Sequence, residues 1–183
     1  YGFDADTFLE VKHEIQSGQS LGKILSDFGV SYAQIDKIAR KTRRTEYDVR
    51  YLKAGHPYAM FCVLDTAGRE NAQIFVYEED KINYVVYDFR DTLKVYQAQK
   101  PVEVKLIEDA GIIEKGSSFF LTGAAIGMSD RLCEIISDEI YCWTLDYRNV
   151  QPGDRFKVLY EAKYLSGEFV GVGDVKCVYF NHL

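Results

Sequence analysis

"SGQSLGKILSDFGVSYAQIDKIA", Ser17 to Ala39, carries two helix starts and one helix stop in a single short run. Ser20 stands where a side-chain oxygen accepts from an early helical N–H, a cap worth about 1 kcal/mol. Leu21, Ile24, Leu25 and Phe28 follow at helical spacing. Gly29 supplies the left-handed residue that ends a helix. Ser31 then opens a second helix, with Gln34 in the capping-box position. Ile35, Ile38 and Ala39 give that helix its buried face.

Working outward, "FLEVKHEI" (Phe8 to Ile15) reads as a strand before the first helix. After a polar stretch, Gly55 and Pro57 make a turn and "YAMFCVL" returns as a strand. The predicted unit is strand, helix, helix, strand. A shift of about 98 positions lays it over a later part of the chain without gaps. Gly18 then falls on Gly116, Ser20 on Ser118, Gly29 on Gly127 and Ser31 on Ser129. Asp48, Arg50 and Gly55 fall on Asp146, Arg148 and Gly153, and apolar positions such as Ile38 and Tyr58 fall on Ile136 and Phe156.

The second copy is expected as a helix from Ser118 to about Ile126, a helix from about Asp130 to Asp138, a turn at Pro152-Gly153 and the strand "RFKVLYEAKYL". The matched residues are mostly structural punctuation. They favour two copies of one supersecondary unit, with convergence on common helix caps as the other reading. "AQIFVYEED", "INYVVYDF", "TLKVYQAQ" and "VEVKLIE" add antiparallel strands, and a hairpin is expected at Ser166-Gly167. The fold class is therefore α+β, in two related lobes. Their boundary is placed near Lys105, giving residues 1–104 and 105–183.

The 183 residues are 47% hydrophobic and 27% charged with 3 Pro, an ordinary globular composition. The 14 Tyr and 11 Phe favour strands. A net charge of −6 argues against nucleic acid as the main partner. The basic cluster Arg40 to Arg44 reads as the solvated C-terminal end of a helix, with a binding patch as the alternative. No apolar run reaches the roughly 18 residues of a membrane span. The start at Tyr1, without Met, reads as a fragment cut for expression or as a mature product whose leader has been removed.

Cys62, Cys133, Cys142 and Cys177 show no C-x-x-C, which argues against a zinc ribbon. Cys62 and Cys177 lie in apolar strand-like runs and are expected as small buried hydrophobes. Pairing of Cys133 with Cys142 stays open. His13, His56 and His182 have no partner at metal-binding spacing and read as ordinary structural or surface histidines. There is no G-x-S-x-G, no P-loop and no Cys with an evident His partner. "GVGD" (Gly171 to Asp174) is too short for a phosphate cradle, and Glu78-Glu79 reads as a turn. The chain's own residues show no catalytic motif and call for no cofactor.

"IQSGQSLGKILSDFGVSYAQIDKIA" resembles a LysM module, with its strand, "G-x-[ST]-L", helix, "[YF]-G-V-S" and second helix. It departs from LysM after Ala39, where the usual Asn is missing. The resemblance implies glycan binding through the loops after the first strand and the second helix, placing Gly18, Gln19, Ser20 and Leu21 near sugar, with a segment after Ala39 opposite. The plainer reading is that these residues cap and pack the helix.

The stretch from Ser117 to Leu183 resembles the region just before the catalytic domain of LytM/lysostaphin-type zinc metallopeptidases, the murein endopeptidases of the cell envelope. The residues that carry the likeness are Trp143, Asp146 and Tyr147, then Gly153, Asp154, Phe156, Val158, Leu159, Tyr160 and Glu161, then Gly167-Glu168 and Phe180-Asn181. Trp143, the only Trp, is expected to pack between helix and strand. In that family the zinc ligands lie further on, in H-x-x-x-D and H-x-H motifs, so no ligand is carried over to this chain. The resemblance implies an accessory region whose catalytic partner and zinc lie beyond "FNHL", in the periplasm or exported envelope. A free-standing module that binds peptidoglycan and a structural or inhibitory spacer are the competing readings.

Overall fold

The computed structural model describes every residue except Ala5 and Arg148. The contacts divide the chain into two compact units, Tyr1–Pro101 and Val102–Leu183. The first holds β1 (Leu9–Glu14), α1 (Leu21–Asp27), α2 (Tyr32–Thr42), a 3-10 turn (Val49–Tyr51), β2 (Pro57–Leu64), β3 (Glu70–Glu78), β4 (Asn83–Asp88) and β5 (Lys94–Gln99). The second holds β6 (Glu103–Ile112), α3 (Phe119–Ala125), α4 (Asp130–Glu134), a π-helix (Ile135–Ile140), β7 (Arg155–Leu165) and β8 (Glu168–Asn181). The fold is α+β.

In the first unit the strands form one antiparallel sheet in the order β1-β2-β3-β4-β5. One face packs on the helices, where Ile24, Leu25, Ile38, Met60 and Phe75 are at most 1% exposed. The other face, with Phe61, Ile74, Val76, Tyr84 and Val86, is covered by Tyr1, Phe3 and Phe8. Tyr1 meets Tyr84 edge-on at 4.9 Å, and its hydroxyl donates to Glu78. Burial on both faces explains why "YAMFCV" and "IFVY" read as continuous apolar runs rather than alternating ones. Each large side chain so buried contributes about 1.5–3 kcal/mol.

In the second unit the order is β6-β7-β8, all antiparallel. Phe156, Val158, Tyr160 and Ala162 alternate inward from β7 onto Ile113, Phe119, Leu132 and Ile136. The opposite face is wet: Val104, Leu106, Ile112 and Tyr179 are each half exposed or more.

Some backbone hydrogen bonds recur at residues about 98 positions apart. Ile15 N–H donates to His56 C=O at 3.0 Å, and Ile113 N–H donates to Asp154 C=O at 2.8 Å. Gly55 N–H donates to Ile15 C=O, and Gly153 N–H to Ile113 C=O. Between the helices, Val30 N–H donates to Leu25 C=O, and Met128 N–H to Gly123 C=O. Gly29 (φ 76°) and Gly127 (φ 89°) make this turn in the left-handed region that favours glycine. All four helix starts are capped by the expected serines, Ser20, Ser31, Ser118 and Ser129.

Two particulars differ from expectation. Trp143 is 95% exposed and does not pack between helix and strand. The π-helix rephases the chain that follows, and Tyr141 and Tyr147 take the inner places against Phe180 instead. Cys177 faces outward because its cross-strand partner Leu159 lies on the wet face of β7. Cys62 is buried as expected, and all four cysteines are free thiols. Arg148, the counterpart of Arg50, lies outside the described residues.

Candidate functional site

In the first unit, the chain between α2 and β2 is pinned by one carboxylate. Asp48 is buried and accepts from Arg44 N–H at 2.9 Å and from Arg50 N–H at 3.0 Å. Its oxygens also hold the Arg50 guanidinium through Nε at 3.0 Å and Nη2 at 2.6 Å. The Arg50 pairing first, and these backbone donors after it, hold the Asp48 carboxyl well below its usual range. Fixed in this way, Val49, Arg50 and Leu52 stand across from the start of α1.

A cleft of about 360 Å³ lies between them, lined by Gln19, Ser20, Leu21, Gly22, Ile35, Ala39 and the three residues just named. A wider cleft of about 560 Å³ shares Ala39, Val49 and Arg50 as walls and adds Asp36, Arg40, Arg43 and Asp48. Gly22 leaves room in the first cleft. A Cβ there would sit 3.6 Å from Ile35 Cγ2, an ordinary contact, with φ outside the left-handed region.

The matching positions of the second unit carry larger side chains. Phe120 stands where the first unit has Gly22, and Tyr147 where it has Val49. Their rings lie 5.6 Å and 5.0 Å from Phe119, the counterpart of Leu21.

Of the residues singled out for glycan, Gln19, Ser20 and Leu21 line the cleft, and Gly18 makes the preceding turn at φ 80°. Ser20 Oγ is engaged as the helix cap, accepting from Lys23 N–H at 3.3 Å. Gln19 Oε1 accepts from Gln16 N–H at 2.8 Å. Val49 and Arg50 come from the segment after Ala39, and Ile35, read from the sequence as part of the buried face of the second helix, also lines the cleft.

The signature residues of the second unit do not form one site. Phe156 and Tyr160 are buried, and the Tyr160 hydroxyl donates to Asp109 at 3.0 Å. Glu161 pairs with Lys176 at 2.8 Å, and Gly153 turns the chain at φ 99°. The Asp146 C=O accepts from Asn149 N–H at 2.9 Å, as Asp48 C=O does from Tyr51 N–H. Asp154 has no exposed surface, and its carboxylate accepts from Gln151 N–H at 2.8 Å and Leu183 N–H at 2.9 Å. Among the described residues, no three His, Cys, Asp or Glu side chains are placed to hold a metal ion.

Over 94% of its length the chain superposes on a solved structure with a TM-score of 0.67 and 18% identity. It is similar in fold to about half of a zinc containing peptidase from Vibrio cholerae. The superposition spans 51% of that chain. Helicobacter pylori Csd3 is also similar, in its hexagonal crystal (TM-score 0.57, 10% identity) and its orthorhombic crystal (TM-score 0.53, 9% identity). Those matches cover 94% and 95% of this chain and 45% of Csd3. No family model and no curated protein matches the chain. At these identities the likeness establishes the fold.

Proposed function

We propose that this chain is the non-catalytic N-terminal region of a peptidoglycan-processing zinc metalloendopeptidase of the LytM type. It positions the catalytic domain or restricts access to it, in the periplasm or exported envelope. The observation that carries this reading is the fold shared with about half of a zinc containing peptidase, over nearly the whole of this chain. The run from Trp143 to Glu161 supports it through the sequence resemblance. The zinc is expected in the catalytic domain, and the resemblance carries none of its ligands over to a residue of this chain. Reading the gene past Leu183 tests the proposal. Histidine motifs of the H-x-x-x-D and H-x-H kind are expected there, and a stop codon within a few residues would sink it.

A second reading is a peptidoglycan-binding module with a LysM-like first unit. It is favoured by one observation: a cleft with a mostly apolar lining lies beside Gln19, Ser20 and Leu21 in the first unit. Co-sedimentation of residues 1–183 with insoluble peptidoglycan checks it. A chain left wholly in the supernatant at low salt would count against it.

A further inference from the structure

Charge is unevenly distributed along this acidic chain. Between Lys37 and Lys53 seven basic side chains stand against two acidic ones, although the whole carries −6. Three of the seven, Arg40, Arg43 and Arg50, line the wider cleft of the first unit. Arg50 is held by the buried carboxylate of Asp48, which occupies its Nε and Nη2 and leaves the Nη1 donors outside the pairing. Arg40 Nε lies 2.8 Å from Asp36 Oδ2. Arg43 enters no ion pair among the described residues. The wall thus sets three guanidinium groups against two carboxylates, a surplus of one positive charge.

The adjoining cleft has a different character. Leu21, Gly22, Ile35, Ala39, Val49 and Leu52 give it a mostly apolar lining, and Arg50 belongs to both clefts. At about 360 Å³ it lies at the lower end of the range of about 300–1,000 Å³ seen for small-ligand sites. A ligand spanning the two would lay an uncharged face against the apolar walls and bring one anionic group to the arginines.

We infer that the first unit takes an acidic glycan, with a sugar face over Gly22, Ile35 and Val49 and a carboxylate at Arg43 and Arg50. This rests on the glycan-binding reading above and adds the chemical class of the ligand. The planar guanidinium fork matches a carboxylate, and Asp36 and Asp48 already make that pairing on the same wall. A surplus of one charge suits one carboxylate per bound sugar pair. It suits poorly a nucleic acid, whose dense phosphates are met by many unpaired cations.

The test uses residues 1–183 and three probes, followed by calorimetric titration at low and physiological salt. The first is a short chain of N-acetylhexosamines with a free carboxylate on alternate sugars. The second is the same chain with those carboxylates amidated, and the third is a single-stranded oligonucleotide. The carboxylated chain is expected to bind about fivefold tighter than the amidated one, the worth of one partly exposed charge pair. Arg43→Ala should abolish that preference, bringing the two chains to equal affinity. Gly22→Phe should remove binding of both, with the circular dichroism spectrum retained. Equal affinity for the two glycans would overturn the acid preference and leave the glycan reading standing. No binding of either by the folded chain would overturn both. An oligonucleotide bound more tightly than either glycan would replace the proposal with a nucleic-acid site.

Discussion

The imidazole of His182 lies 2.7 Å from the carboxylate of Asp154, a residue with no exposed surface. Together with the N–H groups of Gln151 and Leu183, this contact ties the end of the chain to the turn before β7. Burial opposes ionisation of Asp154, yet those two N–H donors and His182 outweigh it and hold the carboxyl below its ordinary value.

A depressed carboxyl stabilises the fold above the unfolded-state value, about 3.9, and that contribution is lost as pH falls through the lower folded-state value. Asp154→Asn should therefore destabilise the chain at pH 7 by about 1–3 kcal/mol, because buried donors lose a charged acceptor. In urea unfolding the gap between the two proteins should hold down to about pH 4 and close below it. A gap independent of pH would contradict this role.

Gly22 lies inside α1, where glycine costs about 0.5–1 kcal/mol relative to alanine. Its added Cβ would meet nothing closer than 3.6 Å. Gly22→Ala should thus raise the stability of the first unit by that amount, read as a higher urea midpoint. A lower midpoint would show that the glycine is needed for folding, and not only for the space it leaves.

Phe119 is 1% exposed and touches the rings of Tyr147 at 5.0 Å and Phe156 at 4.9 Å. Phe119→Ala should cost about 3–5 kcal/mol, and Leu21→Ala at the matching place about 2–5 kcal/mol. Hydrogen exchange should place the first loss in β6–β8 and the second in β1–β5. Losses confined to the other unit in each case would contradict the packing described.

Trp143, 95% exposed, should emit at the fully hydrated limit and be quenched freely by iodide in the native protein. Trp143→Ala should change stability by no more than about 0.5 kcal/mol. A blue-shifted, protected emission would place the ring in contact with protein.

The punctuation of the fold was legible because it is local. A serine cap or a left-handed glycine acts within a few residues, so Ser20, Gly29 and their counterparts could be read from spacing alone. Trp143 could not, because its direction depends on a π-helix that no periodicity announced. Cys177 was misplaced because β8 departs from regular pairing with β7 at several points, so alternation loses its phase. Most of the candidate cleft, from Gln19 to Gly22 with Ile35 and Ala39, lay in the recognised motif. The remaining wall, Val49, Arg50 and Leu52, depends on Asp48 drawing in Arg50, a contact formed by the loop once folded.

The two sheets differ in how they are clad. β3 has a strand on either side and side chains packed over both faces, whereas β6 and β8 are both edges of a sheet with one bare face. Amides in β3 can reach solvent only when the whole first unit opens, while those of the second unit have shorter routes. The chain is thus built with a hard half and a soft half, and a protease meeting it would digest residues 102–183 first and leave residues 1–101 as a resistant fragment.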